Sequence, residues 1–204
     1  TYANGKFYVA GNAASASGIT PSGYDTVFNG GFDGYVAAFS FPVLATTATT
    51  LTYVENSGPV AGDSGLTITY SGGTTLTGAS LKITAGYVLG EDVLAFNNSN
   101  PWGITGTWAS ATGTLTLTGS ASVANYQAAL DSVTYLNTSE NPSGLARTIT
   151  ILTNDGTANS IAKTDTINVT PVNDAPVTTA GGTLNYTENQ LATAIDSTVT
   201  VTDI

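Results

Sequence analysis

The chain has 204 residues, a formal net charge of −10 and no histidine or cysteine. The chain has only four lysine and arginine residues, and this small number argues against a nucleic-acid partner because phosphate binding requires clustered cations. The missing histidine and cysteine exclude disulfides, thiolate metal sites and His-dependent nucleophiles, so we expect no enzyme and look instead to hard cations bound by oxygen.

The first 40 residues alternate short apolar runs with turn residues, and Asn29, Gly30 and Gly31 form a hairpin signal between two such runs. Residues 5–12 (GKFYVAGN) and 29–37 (NGGFDGYVA) resemble the bacterial β-propeller repeat family called SBBP. This resemblance implies that residues 1–42 form one propeller-type blade, which cannot bury both of its faces alone. A small β-extension packed on the next domain is the alternative interpretation.

From residue 50 to residue 170 the sequence predicts one strand after another, separated by turn residues. Threonine alternates with leucine or isoleucine in the stretches 113–118 and 148–152, which is typical of strands with one wet and one buried face. The predicted strands lie near residues 50–54, 65–70, 79–85, 92–97, 104–109, 113–119, 132–137, 146–153 and 160–170. Such a succession favours an all-β fold of the immunoglobulin-like sandwich class.

One stretch breaks the strand pattern. Val123, Tyr126 and Leu130 recur at helical spacing behind Ser122, a favourable N-cap residue. We therefore expect a single short helix in the sandwich.

The sequence also contains an internal repeat. Residues 50–56 (TLTYVEN) return as residues 183–189 (TLNYTEN), and residues 63–69 (DSGLTIT) return as residues 196–202 (DSTVTVT), both at a spacing of 133. A fixed spacing of this size indicates a tandem array of domains. We predict one whole sandwich at residues 43–171, a linker at 172–176, and the start of a second sandwich at 177–204.

Residues 148–156 (TITILTNDG) and 165–176 (DTINVTPVNDAP) resemble the bacterial cadherin-like tandem repeats of very large surface adhesins, as do residues 91–96 and 113–141. The resemblance implies an adhesive segment of an extracellular bacterial surface protein or filament, with neighbouring repeats or copies of the same protein as partners. It also implies joints stiffened by calcium. We read the chain as a segment of a longer exported protein, and no apolar run approaches the roughly 20 residues of a membrane-spanning helix.

In cadherin-like arrays calcium lies between domains, and the resemblance assigns its ligands by position. The matching residues are Glu55, Glu140, Asn173, Asp174 and Asp203. Oxygen atoms of this kind are the ligands that calcium prefers. The alternative is that the Asn-Asp-Ala-Pro linker is a simple turn and that Glu55 lies on a solvated surface.

The first joint, at residues 39–42, differs from the second. Ser40 and Tyr70 stand there at the positions that Asp174 and Asp203 occupy at the second joint. We therefore expect no calcium at the first joint, although Asp155, which the family would direct towards it, is present.

Two other functions remain open on the sequence. Trp102 and Trp108 can stack on sugars, which would make the domain a carbohydrate-binding module with surface glycans as partners, although Ile104 between them favours a core role. The chain can also be a noncatalytic appendage of an exported enzyme. Glu91 and Asp92 would point to opposite faces of a strand, so we interpret them as turn residues or cation ligands and not as a glycosidase pair.

Overall fold

The computed structural model describes residues 2–3, 5–13, 33–47 and 50–203, which contain sixteen strands and one helix. The strands are β1 (Tyr2–Ala3), β2 (Lys6–Ala13), β3 (Asp33–Ser40), β4 (Val43–Ala45), β5 (Leu51–Val54), β6 (Val60–Ala61), β7 (Thr67–Thr69), β8 (Thr75–Ala85), β9 (Asp92–Ala95), β10 (Thr105–Ala109), β11 (Thr114–Ser122), β12 (Thr134–Asn137), β13 (Arg147–Asn154), β14 (Lys163–Thr170), β15 (Val177–Thr179) and β16 (Thr200–Thr202). The helix, α1, is Val123–Asp131.

Strands β1, β2 and β3 form a small antiparallel sheet. The long pair, β2 with β3, runs from Lys6 opposite Ser40 to Ala13 opposite Asp33. Within the described residues this sheet is open and no closed propeller is present. The predicted hairpin at Asn29 to Gly31 lies outside the described residues, so the propeller-type blade stays a prediction.

The predicted all-β sandwich is confirmed. A six-stranded sheet with the order β10-β11-β8-β13-β14-β5 faces a three-stranded sheet with the order β6-β12-β9. Strands β4 and β7 form a further, two-stranded sheet. Neighbouring strands of the larger sheet are antiparallel except β14 and β5, which are parallel. This parallel pairing brings the end of β5 next to the end of β14, where the chain leaves the sandwich.

The core follows the alternation that the sequence predicts. Leu115 and Leu117 on β11, and Ile149 and Ile151 on β13, are buried, whereas Thr116 between the leucines is exposed. Side chains of successive residues point to opposite faces of a strand, so an alternating sequence buries one face and hydrates the other.

The predicted helix is also confirmed. The hydroxyl of Ser122 accepts a hydrogen bond from the backbone N–H of Asn125 at 3.1 Å, which is the expected N-cap contact. Tyr126, Ala129 and Leu130 are buried and fasten the helix to the sandwich. No helix in the described part of the chain has the length and apolarity that a bilayer crossing requires.

We predict a pH dependence of stability from Asp165 on β14. Burial and the nearby charge of Asp63 raise the pKa of Asp165. A hydrogen bond from Thr46 acts in the opposite direction, and the resulting pKa is about 6. The folded state therefore holds this proton at pH values where the unfolded chain releases it, and stability falls as pH rises between about 4 and 6. Asp165→Asn should raise the thermal unfolding midpoint at about pH 7.5 and leave it nearly unchanged at about pH 3.5.

The exposed residue Glu188 offers the control for this test. Glu188→Gln should not alter the pH profile of the midpoint. If Asp165→Asn changed the unfolding midpoint equally at both pH values, the effect would not come from ionisation of Asp165.

Candidate metal centre

The site begins at the end of β5, where Glu55 follows the last strand residue. Its backbone N–H donates to the carbonyl of Thr170 at 3.0 Å, which extends the pairing of β5 with β14 by one residue. Its Oε2 accepts a hydrogen bond from the N–H of Val172 at 2.7 Å. Glu55 is only 5% exposed, so this side chain is held against the first residues of the linker and does not lie on a solvated surface.

Asn56 turns the chain immediately after Glu55. Its φ of 61° lies in the left-handed region, which asparagine tolerates better than most residues. Its side-chain amide donates to Oε2 of Glu140 at 3.0 Å. The turn therefore connects the end of β5 to the loop between β12 and β13, which carries Glu140.

The loop that carries Glu140 is itself ordered by short-range hydrogen bonds. The N–H of Ser139 donates to Oδ1 of Asn137 at 2.9 Å, and the N–H of Asn141 donates to the hydroxyl of Ser139 at 3.1 Å. These contacts hold the backbone on both sides of Glu140, whose own side chain is exposed.

The linker supplies the third carboxylate. Asp174 is partly buried, and its carbonyl accepts a hydrogen bond from the side-chain amide of Asn173 at 2.7 Å. One carboxylate oxygen each of Glu55, Glu140 and Asp174 lies within 4.8 Å of the other two. Three segments that are far apart in sequence thus meet at one point, where β14 passes into the linker.

Of the five residues predicted as calcium ligands, the structure brings these three acids together. Asn173 is next to them in sequence, but its side chain is exposed and its amide faces the backbone of Asp174. Asp203 is exposed and is not a member of the acidic cluster. That these residues bind a metal stays a prediction.

The hydrogen bonding of the cluster is compatible with a cation. Oε1 of Glu55 and Oδ2 of Asp174 are buried and have no hydrogen-bond partner. A buried carboxylate oxygen without a donor is unfavourable, and most such atoms in proteins have a partner. A hard cation would satisfy both oxygens and neutralise the repulsion among the three carboxylates.

A buried polar network lies behind the site. Nε of Arg147 on β13 contacts Oδ1 of Asp92 on β9 at 3.1 Å, and both side chains are fully buried. Asp92 also accepts hydrogen bonds from the hydroxyl of Tyr135 at 2.5 Å and the amide of Asn137 at 2.8 Å. The Asn137 carbonyl accepts a hydrogen bond from Tyr53 at 2.8 Å, so the network reaches β5, two residues before Glu55.

Sequence analysis missed this network, although one signal for it exists. Arg147 is two residues before Ile149 and four before Ile151, and residues at even spacing share one face of a strand. Arg147 is therefore expected on the buried face of β13. Asp92 stabilises a turn, in agreement with its interpretation as a turn residue, because its carboxylate accepts a hydrogen bond from the N–H of Val88 at 2.7 Å. It is also the ion-pair partner of Arg147.

At the first joint the carboxylate of Asp155 accepts hydrogen bonds from other groups of the protein. The hydroxyl of Tyr70 donates to Oδ2 of Asp155 at 2.6 Å, and the N–H groups of Thr157 and Ala158 donate to Oδ1. Burial acts to raise the pKa of Asp155, but these hydrogen bonds outweigh it and the pKa is lowered. The bond to Asp155, followed by burial, raises the pKa of Tyr70 to about 12. The expectation of no calcium here stays a prediction.

The two tryptophans are partly buried and pack against the core. Trp102 lies beside Phe96 with ring centroids 6.4 Å apart, and Trp108 meets Tyr87 edge-on at 6.3 Å. Both rings thus take part in intramolecular contacts, which favours the core interpretation over a sugar-binding platform.

Comparison with known proteins gives one partial similarity. A stretch of the chain is 39% identical over 98 residues to halomucin of Haloquadratum walsbyi (strain DSM 16790 / HBSQ001). The match covers 45% of this chain but only 1% of halomucin, so the matched stretch corresponds to a very small part of a very large protein. No family model matches the chain, and no solved structure matches it.

We predict that the buried ion pair is required for stability. Asp92→Asn keeps the shape of the side chain but leaves Arg147 charged and buried without a counter-ion, so the free energy of unfolding should fall by about 3–5 kcal/mol. Denaturant unfolding would measure this. Glu91→Gln, at the neighbouring and partly exposed position, should change the free energy of unfolding by no more than about 0.5 kcal/mol. Equal effects at the two positions would contradict the prediction.

Proposed function

We propose that this chain is a structural and adhesive segment of a large extracellular surface protein, and that calcium stiffens the joint after its sandwich. The observation that carries the proposal is the meeting of Glu55, Glu140 and Asp174, with two buried carboxylate oxygens that lack hydrogen-bond partners. The proposal includes no catalytic role. It agrees with the resemblance to cadherin-like repeats of surface adhesins, in which calcium lies between domains.

Calcium fits the chemistry of these residues better than transition metals. The cluster offers only oxygen, the chain has no histidine or cysteine, and its net charge of −10 attracts cations. Calcium takes six to eight oxygen ligands in flexible arrangements, so three carboxylates can be supplemented by backbone carbonyls and water. Asn173 and Asp203 would add their oxygens if the linker and the segment after it turned towards the ion.

The extracellular setting rests on composition and similarity. Only 9% of the residues are charged, so threonine, serine, asparagine and glycine provide most of the polar surface, as suits an exposed β-protein. The similarity to a minute part of a very large protein is consistent with a repeated structural segment. Under this proposal the function of the chain depends on residue contacts at the joint and not on enzyme chemistry.

We predict that Glu55 is required for calcium binding. Isothermal titration of the chain with calcium should show binding, and Glu55→Gln should abolish it because the buried ligand loses its charge. Glu188→Gln is a matched control, since Glu188 stands at the repeat position equivalent to Glu55 but is exposed. Loss of binding in both variants, or in neither, would be incompatible with the proposed site.

We also predict that calcium changes rigidity more than stability. Without the ion the three carboxylates repel one another and the linker is freed, whereas the core of leucine, isoleucine and valine does not depend on a metal. A chain of two whole repeats should lengthen in small-angle scattering when calcium replaces a chelator, and Asp174→Ala should remove this response. Tyr70→Phe, at the first joint, should retain it, and a loss of the response there too would exclude the assignment to the second joint.

A further inference from the structure

The six-stranded sheet of the sandwich ends at β10, which pairs only with β11 among the described strands. Gly106 of β10 lies opposite Leu117 of β11, but the N–H and C=O of Gly106 bond to a side chain outside the sheet. An end strand presents a row of such backbone groups, and a strand of another chain can pair with them.

The sequence of β10 provides none of the usual protection for an end strand. Proteins protect such strands with charged residues, with proline, with bulges, or by covering them. Strand β10 (Thr-Gly-Thr-Trp-Ala) has no proline, and its register with β11 is continuous from Thr105 to Ala109. No charged residue occurs between Val93 and Leu130. Protection of this edge therefore depends on a group that covers it.

Residues 96–104, here called the edge loop, connect β9 to β10 and cover the edge. Oδ1 of Asn98 accepts a hydrogen bond from the N–H of Gly106 at 2.6 Å, and Nδ2 of Asn98 donates to the C=O of Gly106 at 3.1 Å. Nδ2 of Asn100 donates to the C=O of Ile104, just before the strand, at 2.8 Å. A side-chain amide has the donor and the acceptor that a peptide group has. Asn98 thus takes the place that a residue of a neighbouring strand would have opposite Gly106.

The edge loop is held in this position by contacts of its own. Oδ1 of Asn100 accepts a hydrogen bond from the N–H of Trp102 at 3.0 Å, and the ring centroids of Trp102 and Phe96 are 6.4 Å apart. Phe96 also packs against the backbone of Gly106, where a Cβ atom would lie only 2.7 Å from Cδ1 of Phe96. Glycine at position 106 therefore allows the loop to approach the strand closely.

We infer that the edge loop is an autoinhibitory cap, in which Asn98 keeps β10 from pairing with the β10 strand of a second copy of this chain. A second copy fits this edge because Thr105 and Thr107 flank Gly106 symmetrically. In an antiparallel pair centred on Gly106, the two glycines would exchange both backbone hydrogen bonds, and Thr105 would lie opposite Thr107. Threonine pairs are favourable across antiparallel strands, and a two-fold pair uses the same surface on both copies. The inference does not depend on the cation.

Asn98→Ala in the full-length chain tests the cap. Asn98 is exposed, so its replacement should leave the core intact. Hydrogen exchange at the N–H of Gly106 should become about tenfold faster, because this group loses its acceptor. Sedimentation velocity over a concentration series should then show a monomer–dimer equilibrium for the variant and a monomer for the unchanged chain. Ser99→Ala, at an exposed position of the same loop, is the matched control and should remain monomeric.

A second variant, Asn98→Asp, separates the loss of a hydrogen bond from the opening of the edge. Aspartate can still accept from the N–H of Gly106 but cannot donate to its C=O when ionised. It also places a negative charge at the edge, and charges on an end strand oppose pairing. Asn98→Asp should therefore remain monomeric at concentrations at which Asn98→Ala forms dimers.

Disulfide trapping identifies the strand that pairs, because the chain has no cysteine of its own. Thr105→Cys and Thr107→Cys would each be introduced into the Asn98→Ala chain, and the two proteins would be mixed and oxidised. The mixed disulfide dimer should form at least about tenfold faster than either homodimer, because positions 105 and 107 of different copies would face each other.

Three results would overturn the inference. An exchange rate at Gly106 that Asn98→Ala does not change would show that Asn98 is not the cap. An Asn98→Ala chain that remains monomeric although this exchange is faster would show that the open edge does not pair. Dimers whose disulfides show no preference for positions 105 and 107 would have formed through another surface.

Discussion

The buried ion pair between Asp92 and Arg147 joins the two sheets of the sandwich, because Asp92 lies on β9 of the smaller sheet and Arg147 on β13 of the larger one. Removing two charges from water is costly, and their mutual attraction offsets that cost only when further hydrogen bonds accompany it. Tyr135 and Asn137 supply these bonds to Asp92, and the carbonyls of Ser143 and Leu145 accept bonds from Arg147.

The same network sets the position of the candidate metal centre. The side chain of Asn137 donates from Nδ2 to Asp92 and accepts the N–H of Ser139 at Oδ1, so the ion pair is connected to the loop that carries Glu140. Arg147 holds the other end of this loop at Ser143. In the described residues, buried side-chain atoms without a hydrogen-bond partner occur at the candidate metal centre, on Glu55 and Asp174, and also in the interior, where Nη2 of Arg147 is one of them.

Residues 43–70 and 177–203, which have similar sequences, show which features depend on local contacts. Similar sequences produce the same strand register, the same aspartate-centred turn and the same left-handed asparagine in both places. These features depend on contacts within about 25 residues of sequence. The burial of Tyr53, by contrast, depends on β12, where the backbone carbonyl of Asn137 accepts its hydroxyl hydrogen bond.

The sequence by itself determined the all-β class, most strand positions and the single described helix, because alternation and the Ser122 cap are properties of neighbouring residues. It also named Glu55, Glu140 and Asp174, through resemblance to a family. Only the tertiary structure decided that these three acids converge and that Asp203 does not join them. The parity of Arg147 indicates a buried side chain, but no local pattern identifies Asp92, 55 residues earlier, as its partner. A strand's sequence tells which face a residue occupies, whereas the residue opposite depends on how the sheets are stacked.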